Sequence, residues 1–211
     1  MDKPSTITYM IALDNGDPTR ESDFRDELYE LDAPFEGEGN SILKSFNRLS
    51  SIIWGDKNNA IAIDYWVKNR NEKTYLFNPS NVNQEPKIIY DRNYQDRYSD
   101  PGSFLTERNM YNKNILKIES NSLILIGDGY SEKGQFPFID KLTLNDFSSN
   151  RIYKSSYTNK LEDILDFDIK KNQLFVRIES KSDYPNYYFK SLNGRRINKI
   201  TDFKNPFDNL N

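Results

Sequence analysis

The chain has 211 residues, of which 29% are charged and 36% hydrophobic, and its formal net charge is -3 at pH 7. That length can bury the core of one domain or of two small ones. The weakly acidic balance gives no electrostatic reason to expect a nucleic acid or an anionic membrane as a partner. Histidine and cysteine are both absent, which excludes a Ser-His-Asp triad, disulfides and thiol chemistry within these residues.

The sequence does not fix a cellular compartment. A chain without cysteine is compatible with a reducing and with an oxidising environment. No apolar run approaches the ~20 residues of a membrane-spanning helix, so no membrane partner is predicted. The N-terminal residues Met1–Pro4 are not followed by the apolar segment of a signal peptide. A periplasmic or secreted parent protein and a cytoplasmic one both remain open.

Short segments with a hydrophobic period of two predict strands throughout the chain. Aromatic residues make up 14% of the sequence, and their rings favour the half-buried surface of a sheet. The predicted strands are Thr6–Ala12, Ser51–Trp54, Ala60–Val67, Lys73–Phe77, Lys87–Tyr90, Ile115–Ile118, Leu123–Ile126, Phe138–Leu144, Arg151–Lys154, Ile164–Phe167, Leu174–Ile178, Tyr187–Ser191 and Arg196–Ile200. Helical spacing is nowhere sustained, so we predict an all-β chain.

The nearest approach to a helical stripe is the acidic stretch Asp23–Leu31, which Asp32-Ala33-Pro34 cuts short. Clusters of Gly, Asn, Asp, Pro and Ser separate the predicted strands and indicate turns. The strands group into units of roughly 45 to 50 residues, the size of a four-stranded propeller blade. A β-sandwich has a similar strand spacing, so periodicity alone leaves both architectures open.

Several short motifs follow one another in a fixed order along nearly the whole chain. They are Asn15-Gly16-Asp17-Pro18, Arg25-Asp26, Ala33-Pro34-Phe35, Trp54-Gly55-Asp56, the polar connector Asp91–Ser103, Gly127-Asp128-Gly129, Pro137–Asp140, Glu179-Ser180, Pro185–Tyr188, Ile200–Phe203 and Asn205-Pro206. Together they resemble the β-propeller of serine peptidases of the prolyl oligopeptidase clan, in its glutamyl endopeptidase branch. One departure is Asn15, which replaces the first glycine of the family's opening turn. Asparagine also tolerates a left-handed backbone, so we expect the turn to be kept.

The resemblance implies a partial β-propeller of about four four-stranded blades, at approximately residues 1–48, 49–100, 101–158 and 159–204. It implies two partners, an α/β-hydrolase domain of the same parent polypeptide and a peptide substrate. That catalytic domain would begin near residue 211 and is absent from this chain, which also lacks the Gly-x-Ser-x-Gly of a nucleophile elbow. In the family, the propeller restricts entry to peptides and unstructured segments. A noncatalytic gating portion of such a peptidase is therefore expected.

The alternative is a free-standing β-propeller that acts as a binding or scaffold module without enzymatic activity. A third reading, a hydrolase acting through paired carboxylates, has no support in the sequence. An incomplete ring of blades leaves apolar surface uncovered, which predicts marginal solubility for the chain alone.

Two acidic segments are candidate functional sites. Clustered oxygen ligands in Asp14–Asp17 suggest calcium, but the EF-hand spacing is missing and a turn stabilised by Asx side chains is preferred. The run Glu162–Asp168 offers spaced carboxylates of the kind used by glycosidases. Strand alternation predicts that Leu165 and Phe167 share one face, with Asp166 and Asp168 turned towards water.

The remaining candidates lie in the connector and in three other short segments. Arg92 and Arg97 could form a platform for an anion or an aromatic group, or they could pair with nearby aspartates and fasten the connector between blades. Gly127–Gly129 is interpreted as a tight hairpin or bulge rather than a phosphate loop. Trp54 and Trp66 are interpreted as packing residues. We assign no catalytic, metal-binding, cofactor-binding or substrate-binding residue, and we expect no cofactor.

Overall fold

A computed structural model describes residues 5–207 of the chain. Its strands are β1 Thr6–Ala12, β2 Asp26–Asp32, β3 Asn40–Ser45, β4 Arg48–Trp54, β5 Ala60–Trp66, β6 Asn71–Phe77, β7 Lys87–Asn93, β8 Ser103–Phe104, β9 Thr106–Arg108, β10 Asn114–Leu116, β11 Ser122–Gly127, β12 Tyr130–Ser131, β13 Gly134–Gln135, β14 Phe138–Thr143, β15 Ser149–Lys154, β16 Leu161–Asp168, β17 Gln173–Glu179, β18 Asn186–Ser191 and β19 Ile197–Lys199. Residues 5–207 contain no helix, which confirms the all-β prediction.

The expectations about a signal peptide and about the junction with a hydrolase rest on residues 1–4 and 208–211, which lie outside the described part of the chain. In the described part, no helix is long and apolar enough to cross a membrane.

Four antiparallel sheets succeed one another along the chain. Their strand orders are β1-β2-β3, β4-β5-β6-β7, β8-β11-β14-β15 and β16-β17-β18-β19. Each sheet joins strands that follow one another in the chain, with two small hairpins, β9-β10 and β12-β13, lying between strands of the third. Meandering sheets of four strands are the blades of a β-propeller. The fold class is thus the expected partial β-propeller, with one blade of three strands and three of four.

The chain divides into two compact units. Unit 1 comprises Met1–Asp96 and Thr106–Ile118, and unit 2 comprises Arg97–Leu105 and Glu119–Asn211. The β9-β10 hairpin is therefore part of unit 1, where β10 packs against β4. The boundaries expected for the individual blades stay a prediction.

Each unit has its own hydrophobic core. In unit 1, the first two sheets meet through the buried side chains Leu28, Ile42, Leu43, Leu49, Ala60, Ala62, Tyr75 and Phe77. In unit 2, the last two sheets contribute Ile124, Ile139, Tyr153, Phe167, Leu174, Val176 and Ile178. Alternate residues of most strands supply these cores, as the period of two predicts. Ile42 and Leu43 are consecutive, at the place where the pairing of β2 with β3 shifts register.

The strand prediction was incomplete. The acidic stretch with weak helical spacing overlaps strand β2, β3 was not predicted, and neither were the short strands β8, β9, β12 and β13. In addition, the pairing of β16 with β17 shifts register between Ile164 and Asp166. Such a bulge rotates the following side chains. Leu165 is consequently 48% exposed while Phe167 is buried, so the expectation that the two share a buried face was wrong.

Candidate functional site

The unit 1 part of the polar connector is fastened to the second sheet. The Arg92 guanidinium donates from Nε to Oε1 of Glu72 at 3.0 Å and from Nη1 to the Asp96 carbonyl at 2.9 Å. Asp91 is paired with Lys73 and accepts from Nδ2 of Asn71 at 2.6 Å. The bond from Lys73 is the main reason that the pKa of Asp91 lies below its ordinary value. These contacts hold the start of the connector to its own sheet, and the expected link between blades stays a prediction.

Arg97, in the unit 2 part of the connector, lies instead against an aromatic ring. Its guanidinium carbon is 3.8 Å from the ring centroid of Tyr130, a cation–π contact. The backbone nearby is held by Asp100, whose Oδ1 accepts from the N–H of Gly102 at 2.9 Å. Gly102 has φ +88, and a Cβ there would lie 2.4 Å from the carbonyl oxygen of Ile126. Glycine is therefore required for this close approach.

The Gly127-Asp128-Gly129 segment leads into the short hairpin β12-β13, in agreement with the turn interpretation. The carbonyl of Gly129 accepts from the N–H of Phe136 at 2.9 Å, which closes the hairpin. Gly129 has φ +66, and a Cβ would lie 1.9 Å from the carbonyl oxygen of Phe136. At Gly127, a Cβ would lie 2.3 Å from the ring of Phe138.

A small pocket of about 230 Å³ lies between the connector and this hairpin, within unit 2. Its aromatic side chains are Tyr98, Tyr130, Phe136 and Phe138. Tyr98 is 65% exposed, so this part of the rim faces solvent. The volume suits one amino-acid side chain rather than a large cofactor.

Cations lie against three of these rings. Besides Arg97, the guanidinium of Arg151 is 3.8 Å from the Phe138 centroid, and Nζ of Lys154 is 5.6 Å from the Phe136 centroid. Arg151 is also bound to Asp140 through two bonds of 2.9 Å, which compensate its charge. Within residues 5–207, Lys154 forms no ion pair. The pocket thus combines aromatic rings and the exposed amine of Lys154 with two carboxylates, Asp100 and the Asp140 that Arg151 compensates.

A second polar surface lies at the β17–β18 loop of unit 2. Two adjoining cavities of about 360 and 660 Å³ share Lys160 and residues 180–183. Asp183 pairs with Lys160 at 2.9 Å and accepts from the Ser180 hydroxyl at 3.0 Å. Asp202 accepts from Lys199 and Lys204, and these bonds lower its pKa to about 2. The lysines here are largely occupied by these aspartates.

In the acidic turn that suggests calcium, the carboxylate of Asp14 is paired with two arginines. The Asp14 side chain is fully buried and accepts from the Gly16 N–H, from Arg25 at 2.6 Å and from Arg48 at 2.5 Å. Arg48 continues to Asp26 at 2.6 Å. Asn15 has φ +59, as expected of the asparagine in this turn. Among the described residues, no group of three or more metal-ligating side chains is present.

The carboxylates of the Glu162–Asp168 run are also engaged by neighbours in the fold. Glu162 is buried and accepts from Tyr153 at 2.6 Å and from Lys190 at 2.8 Å. Asp163 pairs with Arg177 at 2.6 Å. Burial, followed by the bond to Glu162, raises the pKa of the Tyr153 hydroxyl. No pair of carboxylates facing a common space is formed here, in contrast to a glycosidase site.

The two tryptophans pack as predicted. Trp54 lies against the unit 1 core, with its ring centroid 5.9 Å from that of Phe77. Trp66 stacks under Arg25 at 3.7 Å.

Asn186 has a role that the sequence did not reveal. Its Oδ1 accepts from the Thr201 hydroxyl at 2.9 Å and from the Phe203 N–H at 2.7 Å, and its Nδ2 donates to the Phe203 carbonyl at 3.1 Å. One buried amide thereby ties the Pro185–Tyr188 motif to the segment after β19.

Comparison with known proteins gives two close matches in sequence. The chain is 29% identical over 225 residues to the probable chloroplastic glutamyl endopeptidase of Oryza sativa subsp. japonica, covering 99% of this chain and 24% of that protein. The corresponding protein of Arabidopsis thaliana is 29% identical over 226 residues, with 99% and 23% coverage. The chain thus spans about a quarter of the length of these curated relatives.

No protein-family profile matches the chain. Among solved structures, TolB from Acinetobacter baumannii superposes with a TM-score of 0.43 at 15% identity, covering 96% of this chain and 43% of that one.

Proposed function

We propose that residues 1–211 form the noncatalytic propeller portion of a serine peptidase of the prolyl oligopeptidase clan, of the glutamyl endopeptidase type. The module would gate the access of peptides to a hydrolase domain of the same polypeptide. The observation that carries this proposal is the similarity over 99% of the chain to proteins named glutamyl endopeptidases. The blade-like sheets support it independently, because they belong to the expected architecture.

The chemistry of the chain is consistent with gating rather than catalysis. The sequence contains no histidine, so these residues cannot form a Ser-His-Asp triad. The buried carboxylates Asp14, Asp64 and Glu162 each accept bonds from side chains of the fold. Buried carboxylates that are bonded in this way stabilise a rigid scaffold. A module that admits peptides by their size needs such rigidity.

The pocket between the connector and the β12-β13 hairpin is the part of the module best suited to contact a peptide. Its aromatic walls and the positive charge of Lys154 favour an acidic side chain. The substrate class suggested by the relatives, peptides cleaved at glutamyl residues, has that character.

The proposal is tested on the complete polypeptide that contains residues 1–211. We expect it to hydrolyse short peptides after glutamate and to react with a fluorophosphonate probe at a serine outside these residues, whereas residues 1–211 alone do neither. If the complete polypeptide neither hydrolyses peptides nor carries a reactive serine, the peptidase assignment is wrong. The binding-module alternative would then take its place.

A further inference from the structure

The turn between β16 and β17 and the turn between β18 and β19 lie side by side at one end of the last sheet. The N–H of Leu192 donates to the carbonyl of Asn172 at 2.8 Å and ties the two turns together. With Ile152 of the neighbouring sheet, these turns border a cavity of about 680 Å³ within unit 2. This cavity shares no lining residue with the pocket beside the connector or with the two cavities at the β17–β18 loop. It is therefore a separate feature of the module.

The side chains around this cavity carry positive charge without a carboxylate among them. Lys171, Arg195 and Arg196 line it, and none of its described lining residues is acidic. Lys171 pairs with Asp168 at 3.1 Å, but both side chains are exposed and such a pair is weak. The two arginines are also exposed, and within residues 5–207 neither of their side chains forms an ion pair. In a chain with a net charge of -3, these two guanidinium groups are thus available to an external anion.

Hydrogen bonds fix the backbone from which the two arginines extend. Oδ1 of Asn193 accepts from the Arg195 N–H at 3.1 Å and from the Ser191 hydroxyl at 2.8 Å. Oγ of Ser191 accepts in turn from the Arg196 N–H at 3.0 Å. Gly194, with φ +71, closes the turn by donating its N–H to the Ser191 carbonyl at 2.8 Å. The two guanidinium groups therefore start from a defined backbone, while their exposed ends can adjust to a ligand.

The donors of this turn indicate which kind of anion fits. Phosphate sites are typically built from backbone N–H groups that point at the ligand. Here the N–H groups of Gly194, Arg195 and Arg196 are bonded within the turn, so the side chains must supply the binding. None of the described lining residues is aromatic, so the bases of a nucleic acid have no ring to stack on. Guanidinium groups pair well with carboxylates, which favours a carboxylate ligand.

The size and the apolar part of the cavity favour a ligand larger than one small anion. A volume of about 680 Å³ lies in the range of pockets that enclose ligands of many atoms. Ile152 and Leu192 are half-buried and line its apolar part. The methylene groups of a glutamate side chain can cover such a surface while the carboxylate meets a guanidinium. A peptide with several acidic residues therefore fits this cavity better than an isolated ion.

We propose that this cavity binds an acidic segment of a polypeptide, with Arg195 and Arg196 pairing with two of its carboxylates. The inference goes beyond the proposed function, because the cavity is separate from the pocket beside the connector and gating does not require it. A substrate or a partner protein would be held here by acidic residues outside the part that reaches the gate. Since the ion pairs are exposed, the binding is weak and decreases with salt.

Fluorescence anisotropy of a labelled hexaglutamate peptide tests the inference. The complete polypeptide that contains residues 1–211 is first treated with a fluorophosphonate, so that no reactive serine consumes the probe. We expect the probe to bind in low salt, and R195Q/R196Q to bind it about tenfold more weakly. R195K/R196K, which restores the charge, should recover most of the affinity. The matched control is R20Q/R70Q, which removes the same charge from two exposed arginines of unit 1 and should bind normally.

The outcomes separate this inference from the proposed function. Equal affinities of R195Q/R196Q and R20Q/R70Q overturn the inference, because net charge alone then explains the binding. Displacement of the probe by an equal concentration of inorganic phosphate overturns it in favour of a simple anion site. Tighter binding of an oligothymidylate overturns it in favour of a nucleic acid. None of these results affects the peptidase assignment, and a specific loss in R195Q/R196Q supports the inference whether or not the polypeptide hydrolyses peptides.

Discussion

Lys190 and Glu162 form an ion pair inside unit 2, with 2.8 Å between Nζ and Oε1 and with side chains 9% and 0% exposed. Tyr153 completes the group by donating to Oε2 of Glu162 at 2.6 Å and accepting from Lys190 at 2.7 Å. The three residues come from β15, β16 and β18. A buried charge is tolerated only while its partner is present, so this triad links the last two blades and makes their packing specific.

Replacing Lys190 by methionine should therefore destabilise unit 2 strongly. The substitution leaves the carboxylate of Glu162 buried without its cation, at a cost of about 3–5 kcal/mol in the free energy of unfolding. Urea denaturation followed by circular dichroism measures this change. The matched control is Lys171→Met, which removes an exposed pair with Asp168 and should cost less than about 1 kcal/mol. The double variant K190M/E162L should recover much of the loss, and similar effects of K190M and K171M would contradict this account.

Asp14 gives a prediction about pH. Burial opposes its ionisation, but the bonds from Arg48 and Arg25 outweigh burial and hold its pKa below the ordinary value of 3.8. A pKa lowered by folding adds stability above the unfolded value, and this contribution is lost as the pH falls through the folded value. Asp14→Asn keeps an acceptor for the Gly16 N–H and removes the charge.

We expect D14N to lower the denaturation midpoint at pH 7 and to reduce the acid dependence of that midpoint below pH 4. D14A should lower the midpoint further at pH 7, because it also removes the acceptor of the bond that the Gly16 N–H donates. Asp23→Asn, the same substitution at an exposed position, serves as the control. An unchanged acid profile in D14N would show that Asp14 is not ionised in the folded protein.

Gly129 allows steric and conformational effects to be separated. A Cβ at Gly129 would lie 1.9 Å from a backbone oxygen, whereas a Cβ at Gly37, which also has positive φ, would meet nothing within 4 Å. Gly37→Ala should cost about 1 kcal/mol for its backbone conformation alone. Gly129→Ala should cost about 3 kcal/mol or more, since the β12-β13 hairpin must open. Thermal unfolding of both variants measures the difference, and equal costs would exclude the close approach.

Lys154 provides a test of the pocket beside the connector. In the complete polypeptide, Lys154→Ala should raise KM for a glutamate-containing peptide by about two- to fivefold and leave kcat unchanged. Lys170→Ala, at an exposed lysine that does not line this pocket, should change neither parameter. The KM increase should shrink in high salt, because exposed charges are screened. Equal KM values for the two variants would exclude Lys154 from substrate binding.

The sequence predicted most strands because alternation of apolar and polar residues is a local signal. Thr6–Ala12 was predicted with the bounds that the structure has. Strand β2 was missed because its sequence, DELYELD, is dominated by acidic residues. Three of these, Asp26, Glu27 and Glu30, are nevertheless buried. The partners that make burial acceptable include Arg48 and Ser41, which lie in later strands. No local pattern reveals such distant compensation.

The candidate site was predictable only in part for the same reason. The composition of the connector left two roles open for Arg97, a platform for an anion or an aromatic group and pairing with a nearby aspartate. Its contact, Tyr130, lies 33 positions later in the sequence, on another hairpin. The exposure of Leu165 follows from a bulge that period-two alternation cannot show. These contacts depend on which strands pair and in which register. A single sequence does not show that pairing.

Size selectivity of the complete polypeptide is the most direct test of the proposed gating role. One glutamate-containing sequence is presented both as a free peptide and within a loop of a stably folded carrier protein, and the two hydrolysis rates are compared. A gating role predicts rapid cleavage of the free peptide and none of the folded carrier, with cleavage restored when the carrier is unfolded. Cleavage of the folded carrier at the rate of the free peptide would contradict the gating role of this module.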